Sequence, residues 1–277
     1  NALTEQEKGT TFFGVPTMLI ALLDSHEVSP VDYSSVKIAI SGGSMVAPEL
    51  VRRVKNIVGC RFSTVYGQTE TSPVLTQTFP DDSEEDICNT VGQPLPNKDI
   101  AIFDPQTSEV LPLDTIGEIC SRGYCNMLRY NDNPEATKAT IDESGWLHTG
   151  DLGSMDERGY VKITGRLKEM IIRGGENLFP AEIENTLLEH PAVAEVAVVG
   201  IPDPKWGEIV GCFIRPVDGT EPKIAELIAH CRQYLSPVKT PTKWMFVEEW
   251  PLTGSGKIQK FNLLENFEQG AYQEETA

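Results

Sequence analysis

The alternation of short apolar strands with amphipathic helices in its first part constrains the fold of this chain most. Residues 16–23 predict a short helix with proline in its first turn, and residues 47–58 place apolar side chains on one helical face. Residues 36–41 and 62–65 are short apolar runs that predict strands. Strands that alternate with helices are typical of a mainly parallel sheet with helices packed on it. The pattern therefore predicts a partial α/β sheet subdomain over residues 1–80.

Two further regions follow with different patterns. In residues 81–166, proline, glycine and aspartate separate short β-rich runs, which predicts a small β-barrel subdomain with a helix inserted at residues 134–141. Residues 167–267 mix helical and strand patterns and predict an α+β C-terminal domain of ordinary size, and residues 268–277 read as a polar tail. The predicted fold class is therefore an α/β multidomain protein.

Length, charge and cysteine spacing exclude several classes of protein. The chain has 277 residues and a net charge of −18, which argues against nucleic-acid binding and against a polybasic membrane anchor. No apolar run reaches the roughly 18 residues of a transmembrane helix. The six cysteines lack C-x-x-C spacing, so neither a zinc site nor a disulfide framework is expected. Sparse cysteines fit the reducing cytosol, and we predict a cytoplasmic location.

Two polar motifs follow predicted strands. Residues 41–44 read Ser-Gly-Gly-Ser, and two glycines allow the backbone to turn sharply and approach a ligand closely. The alternative for this motif is a tight turn without a ligand. Residues 66–70 read Tyr-Gly-Gln-Thr-Glu, which combines an aromatic ring for a base, a hydroxyl for a phosphate and a carboxylate for Mg²⁺. The alternative is a polar loop with a buried tyrosine.

Three more motifs lie further along the chain. Asp151 ends the run 146–151 and follows a Thr-Gly turn. A carboxylate there can accept hydrogen bonds from both hydroxyls of a nucleotide's ribose. The alternative is an Asx turn between strands. The pair Gly174-Gly175 follows a predicted strand and allows close approach of a thiol-bearing arm, near what is otherwise a solvated domain boundary. Lys257 lies on a Gly/Ser loop, from which its charge can reach a phosphate or carboxylate, unless it is simply an exposed loop lysine.

In this order, the five motifs resemble the later core motifs of the adenylate-forming superfamily, which includes acyl-CoA synthetases, luciferases and peptide-synthetase adenylation domains. The resemblance covers about Thr10 to Leu264 and begins with residues 12–18, which are similar to the family's acyl-pocket segment. It implies that a carboxylate is joined to AMP from Mg·ATP and that the acyl group then passes to a thiol, usually CoA. It also implies a mobile C-terminal domain, with ATP/AMP, Mg²⁺ and CoA as cofactors.

The resemblance further implies roles for single residues. It implies that Thr69 touches the α-phosphate, that Glu70 holds Mg²⁺ and that Lys257 bridges the acyl carboxylate and the α-phosphate, so these three are the catalytic candidates. The implied nucleotide contacts are Gly42, Gly43, Ser44, Tyr66, Gly67, Asp151 and Arg166. The implied remaining positions are the hinge Lys168, the CoA-binding Gly174 and Gly175, and the acyl-pocket residues Phe13, Val15 and Gly67.

Several stretches indicate the branch of the superfamily. Lys168 and the run 170–177 look like those of CoA ligases, and Gly67 leaves room where acetate-specific relatives place tryptophan. Residues 122–128 and 256–261 are most similar to medium-chain acyl-CoA synthetases, so we predict a medium- or longer-chain fatty acid as substrate with CoA. The alternatives are a non-catalytic nucleotide- or acyl-binding module and an adenylation domain that serves a carrier protein.

One element of the family pattern is absent from the sequence. The Ser/Thr/Gly-rich phosphate loop ending in Pro-Lys, which lies upstream of the acyl-pocket segment in full-length members, is not found. We therefore interpret the sequence as the C-terminal part of such a ligase and expect residues 1–277 alone to form no acyl-CoA thioester. We also expect Phe12, Phe13 and nearby apolar residues to be exposed, and hence self-association.

Overall fold

The computed structural model describes residues 2–44, 46–253 and 258–275. The chain divides into two compact units, the first ending at Ile163 and the second beginning at Thr164. No helix in the described parts of the chain has both the length and the apolar character needed to cross a membrane. All six cysteines are free thiols.

The first sheet of the first unit has five strands in the order β1-β2-β3-β4-β5. These are β1 (Thr11–Gly14), β2 (Ile38–Gly42), β3 (Arg61–Gly67), β4 (Val74–Gln77) and β5 (Gln93–Pro94). The first three strands are parallel and the last two are added antiparallel. The accompanying helices are α1 (Ala2–Gln6), α2 (Pro16–Val28), α3 (Pro48–Val58) and α4 (Glu84–Asn89).

The core of this sheet lies where the long helices cover its central strands. On α3, Leu50, Val51, Val54 and Val58 are buried, because apolar residues three and four positions apart share one helical face. The helix ends at Gly59, whose left-handed backbone (φ 73°) is the usual helix stop. The predicted alternation of helix and strand is therefore present in the structure.

The expectation that Phe12 is exposed was wrong. Phe12 is 9% exposed and packs edge-on against Tyr33, with ring centroids 5.6 Å apart, whereas Phe13 is 66% exposed. Successive side chains of a strand point to opposite faces, so only one of two neighbours enters the core.

The second sheet of this unit is antiparallel over its first three strands and has the order β6-β7-β8-β9. Its elements are β6 (Lys98–Phe103), β7 (Gly117–Gly123), α5 (Pro134–Thr140), β8 (Leu147–Met155) and β9 (Val161–Arg166). Within the described residues this sheet is open, with β6 and β9 at its edges, instead of the predicted barrel. Its apolar residues Ile102 and Ile119 pack with Tyr66 and Leu75 of the first sheet, so its inner face is covered without closure.

The second unit holds one sheet in the order β11-β10-β13-β14-β15, with β12 also paired to β13. Its strands are β10 (Ile171–Arg173), β11 (Glu176–Leu178), β12 (Val193–Asp203), β13 (Gly207–Pro216), β14 (Lys243–Phe246) and β15 (Glu274–Glu275). Its helices are α6 (Pro180–Leu188), α7 (Ile224–Tyr234) and α8 (Lys260–Glu268). The predicted α+β character of this region is present.

This sheet is buried on both faces. Alternate residues of β12 enter different cores: Val196 and Val198 pack with residues of α6 and α7, while Ala197 and Val199 pack with Leu263 of α8. Burial on both faces explains the continuous apolar run of β12.

The segment after α8 is not the free tail that the sequence suggested. Through residue 275 it packs back on the unit: the ring of Tyr272 lies 5.1 Å from that of Phe213, and β15 pairs with β14. Tyr272 is partly buried there, and aromatic side chains bury large apolar areas.

Candidate functional site

Three of the predicted motifs meet at one edge of the first sheet. Gly14 at the end of β1 lies beside Ser41 of β2, and Gly42 lies beside Val65 of β3. The loops that follow these strand ends carry Val15, the Gly43–Ser44 turn and the Gln68–Glu70 segment. Ligands of open α/β sheets bind at this carboxyl edge of parallel strands. Phe13, Val15, Gly43 and Ser44 are all exposed there.

Gly67 has a structural role at the end of β3. A side chain at this position would begin 1.8 Å from the carbonyl oxygen of Pro73, so the chain's own backbone fills the space beside the glycine. The glycine is therefore required by the turn between β3 and β4, independently of any substrate. Its assignment to the acyl pocket stays a prediction.

Tyr66 and Asp151 are brought together although 85 positions separate them. The Tyr66 hydroxyl donates a hydrogen bond of 2.9 Å to Oδ2 of Asp151, and the two residues are 7% and 9% exposed. The contact joins the carboxyl end of β3 to β8, and so joins the two sheets of the first unit. An aromatic ring and a carboxylate acceptor thus lie side by side.

A bulge in β8 explains the position of Asp151. Glu118 of β7 is opposite Leu152, and Cys120 is opposite His148, so Thr149–Asp151 face a single residue of β7. Bulges of this kind re-aim a side chain and are frequent next to functional sites.

Glu118 fixes this bulge, although no motif in the sequence pointed to it. Its Oε1 accepts a hydrogen bond of 2.9 Å from the Gly150 amide, and its Oε2 lies 2.7 Å from Nδ1 of His148. Thr149 also stabilises the bulge. Its hydroxyl accepts a hydrogen bond from the Asp151 amide and donates one to a backbone oxygen of β7. The signal in the sequence is an acidic residue directly before the apolar pair Ile119–Cys120. His148 belongs to this network.

We expect Glu118→Ala to lower the free energy of unfolding by about 1–3 kcal/mol, because the Gly150 amide then loses its buried partner. Chemical denaturation of the purified protein measures the change. The matched control is Asp81→Asn, which removes an exposed 3.4 Å ion pair with Arg61 and is expected to cost about 0–1 kcal/mol. Equal losses in the two variants would contradict the anchoring role of Glu118.

The same network has the side-chain chemistry of a metal site. The ligand atoms of Glu118, Cys120 and His148 lie within 4.8 Å of one another and would suit a metal such as Zn²⁺. However, burial raises the pKa of the Cys120 thiol, so the thiolate that a metal needs is disfavoured. Both oxygens of Glu118 already have partners, so hydrogen bonding accounts for the cluster.

Glu70 is held by a residue that sequence analysis missed. It lies in a 3₁₀ helix, Thr69–Thr71, directly after β3, where Thr69 is exposed. The Tyr130 hydroxyl donates a 2.8 Å hydrogen bond to Oε1 of Glu70, and the Met127 amide donates to the Glu70 carbonyl at 2.7 Å. The hydrogen bond to Glu70 raises the pKa of Tyr130, which keeps the phenol protonated as a donor. Tyr130 also lines a cavity of about 390 Å³ with Arg129 and Lys138.

In the second unit, Gly174 and Gly175 form the turn of the β10–β11 hairpin, in which Arg173 is opposite Glu176. A side chain at Gly174 would begin 2.9 Å from the indole ring of Trp206. Two cations lie near this half-exposed ring, at 5.9 Å for Arg173 and 4.8 Å for Lys205. No sequence motif pointed to Trp206, because it is distant along the chain from the two glycines.

The remaining predicted residues are distributed as follows. Arg166 ends β9, and Lys168 is exposed in the 3₁₀ helix Leu167–Glu169. Lys257 lies outside the described residues. On either side of it, Leu252 and Ile258 form an antiparallel bridge.

Comparison with known proteins gives a consistent result. The family model described as AMP-binding enzyme matches residues 1–131, and the model described as AMP-binding enzyme C-terminal domain matches residues 182–257. The chain is 44% identical over 262 residues to the putative acyl-CoA synthetase YngI of Bacillus subtilis (strain 168), and this match covers 94% of the chain and 48% of YngI. It is 41% identical over 265 residues to the mitochondrial medium-chain acyl-CoA ligase ACSF2 of Rattus norvegicus, covering 95% of the chain and 43% of ACSF2.

A solved structure matches as well. The o-succinylbenzoate CoA synthetase MenE from Bacillus subtilis, in complex with the acyl-adenylate intermediate OSB-AMP, superposes with a TM-score of 0.85 at 30% identity. The match covers 99% of this chain and 54% of MenE. This agreement confirms the mixed α/β fold class. The chain spans less than half the length of the curated relatives named above.

Proposed function

Because this chain belongs to the AMP-binding enzyme family, we propose that its protein is an ATP-dependent fatty acid–CoA ligase that works through an acyl-adenylate. The observation that carries the proposal is the 2.9 Å hydrogen bond between Tyr66 and Asp151. Tyr66 and Asp151 belong to two different sequence motifs, and each is a predicted nucleotide contact. They form one buried pair at the carboxyl edge of the first sheet. The names of YngI and ACSF2 support the acid–thiol ligase reaction.

We assign the adenosine moiety to this edge. In the proposed complex, Asp151 accepts hydrogen bonds from the ribose hydroxyls, and Tyr66 stacks on the adenine beside the backbone of residues 42–44. Thr69 contacts the α-phosphate from the exposed start of its 3₁₀ helix. Arg166 and Gly67 complete the proposed nucleotide contacts.

Glu70 suits the proposed magnesium ion. Its carboxylate offers the oxygen ligand that Mg²⁺ prefers, and Oε2 is the oxygen that does not accept the Tyr130 hydrogen bond. Bound there with the triphosphate, Mg²⁺ would offset the negative charge that a fatty acid carboxylate must approach. Tyr130 holds the Glu70 carboxylate in one orientation by donating to Oε1.

We expect Tyr130→Phe to raise the Mg²⁺ concentration for half-maximal activity about 10-fold, since loss of a partner that orients a metal ligand typically costs 10–100-fold in metal affinity or activity. Titration of the adenylation rate with Mg²⁺ at saturating ATP measures the shift. Tyr124→Phe is the control, because Tyr124 is 76% exposed. An unchanged Mg²⁺ requirement would contradict the orientation of Glu70 by Tyr130.

The second half-reaction is assigned to the second unit. Gly174 and Gly175 present a backbone free of side chains to the pantetheine arm of CoA, with Trp206 packed against Gly174. Lys168 is the proposed hinge, and Lys257 is the proposed bridge between the carboxylate and the α-phosphate. Phe13 and Val15 are the proposed contacts of the acyl chain, and their exposure at the end of β1 supports this.

Acyl-CoA formation from ATP, Mg²⁺, CoA and a series of acids tests the function on the complete protein that carries this sequence. We expect octanoate to be preferred over acetate and benzoate. A preference for acetate or benzoate would overturn the fatty acid assignment. Nucleotide binding without adenylate formation would favour a non-catalytic binding module, and transfer only to a carrier protein would favour the carrier-directed alternative.

Two further properties are proposed with this function. Six free thiols support a cytoplasmic location. Exposed Phe13 and Met18 support self-association, which light scattering of residues 1–277 tests; a clean monomer would contradict it.

A further inference from the structure

Lys260 lies at the centre of an ion-paired cluster in the second unit. It is the first residue of α8, and its Nζ lies 2.7 Å from Oε2 of Glu169 and 2.8 Å from Oε1 of Glu184. Glu169 ends the 3₁₀ helix that contains Lys168, and Glu184 is on α6. One ammonium group therefore connects α8 to two elements that lie far before it in the sequence.

The surroundings make this cluster stronger than an exposed ion pair. The Lys260 side chain is only 21% exposed and that of Glu184 only 16%. Burial would lower the pKa of Lys260, but Glu184 and Glu169 outweigh that effect and the pKa is raised. The Val198 amide of β12 also donates to Oε1 of Glu184 at 2.7 Å, which fixes one end of the cluster to the central sheet.

The helix dipole does not explain a lysine at this position. A positive charge at a helix N-terminus is unfavourable, because the helix dipole already places partial positive charge there. The two carboxylates offset this cost. The contacts of Lys260 therefore point to a role in tertiary structure.

The position of Lys260 along the chain indicates what that role is. It follows Lys257 by three residues, and Glu169 follows Lys168 by one. The segments on either side of residues 254–257 are joined by the Leu252–Ile258 bridge and by a 2.8 Å hydrogen bond from the Gln259 amide to the Pro251 carbonyl. The carboxyl side of this paired base continues directly into Lys260.

We propose that Lys260 is a positioning residue that fixes the paired segments on either side of residues 254–257 to the segment after the proposed hinge, so that both move as one body; this inference rests on the proposed function. Adenylation needs Lys257 at a defined distance from two anions. Thioester formation from an existing acyl-adenylate does not need it. The cluster should therefore affect the first half-reaction selectively.

The test compares half-reactions in the complete protein that carries this sequence. Octanoate-dependent exchange between ATP and pyrophosphate reports adenylation, and thioester formation from supplied octanoyl-adenylate and CoA reports the second step. We expect Lys260→Gln to lower kcat of the exchange on the order of 10²-fold, because small misplacements of a reacting group have effects of this size. The KM for ATP and the second half-reaction should change little, and Lys260→Arg should restore most of the exchange.

Two more variants complete the design. Lys243→Gln removes an ion pair of similar length, 2.7 Å to Glu274, from the same unit and should leave both half-reactions unchanged. Glu169→Gln is the substitute variant if Lys260→Gln does not fold, because it leaves Glu184 beside Lys260. It should lower the rate of ATP–pyrophosphate exchange and leave thioester formation unchanged.

Unchanged exchange in Lys260→Gln or in a folded Glu169→Gln would overturn the assignment. Equal losses in both half-reactions without rescue by arginine would also overturn it, because they would indicate a purely structural role. If the unsubstituted protein shows no carboxylate-dependent exchange with any acid, the proposed function fails, and this outcome is recognised before any variant is compared.

Discussion

Alanine in place of Lys257 is expected to lower the rate of adenylation about 10²–10³-fold, the cost of removing one preorganised group that stabilises developing charge. Adenylation brings a carboxylate up to a triphosphate, and a cation between them offsets the repulsion. Once the acyl-adenylate exists, this repulsion is gone. Thioester formation from supplied acyl-adenylate should therefore stay close to its original rate.

Separate assays of the two half-reactions check this expectation. The control is Lys223→Ala, which removes an exposed lysine at the start of α7 in the same unit. Equal losses in both half-reactions of Lys257→Ala would assign the lysine to folding or general binding. An unchanged exchange rate would remove Lys257 from the proposed mechanism.

Asp151→Asn is expected to weaken AMP binding about 10- to 100-fold, because a hydrogen bond to a charged group contributes about 1.5–3 kcal/mol and each 1.4 kcal/mol is tenfold in affinity. The asparagine oxygen can still accept from Tyr66. It loses the charge and one acceptor oxygen that the two ribose hydroxyls would use. The variant thus separates ribose binding from the packing of the two sheets.

Isothermal titration calorimetry with AMP measures the loss in affinity. Tyr66→Phe removes the hydroxyl that donates to Asp151 and keeps the ring, so a smaller loss is expected. Asp99→Asn is the control, since Asp99 forms an exposed 3.0 Å ion pair with Arg122. Wild-type affinity for AMP in Asp151→Asn would contradict the ribose assignment.

Local patterns were enough for most of the secondary structure. Helix α3 follows from the spacing of its apolar residues, which chain geometry converts directly into one buried face. The predicted motifs after β2 and β3 also follow from local signals, because glycine and polar residues directly after an apolar strand identify a loop at a sheet end. Phe12 and Phe13 show the limit of such reasoning, since both are equally apolar and only one enters the core.

The sequence by itself determined the α/β class and the identity of the loop residues at the carboxyl edge. Only the tertiary structure decided which of these residues meet and what holds them. Tyr66 reaches Asp151 because a bulge in β8, fixed by Glu118, turns the carboxylate toward β3. Lys260 reaches Glu169 across 91 positions because α8 packs on the sheet of its own unit. Contacts at such separations depend on register, bulges and packing together, and no periodicity along the chain encodes them.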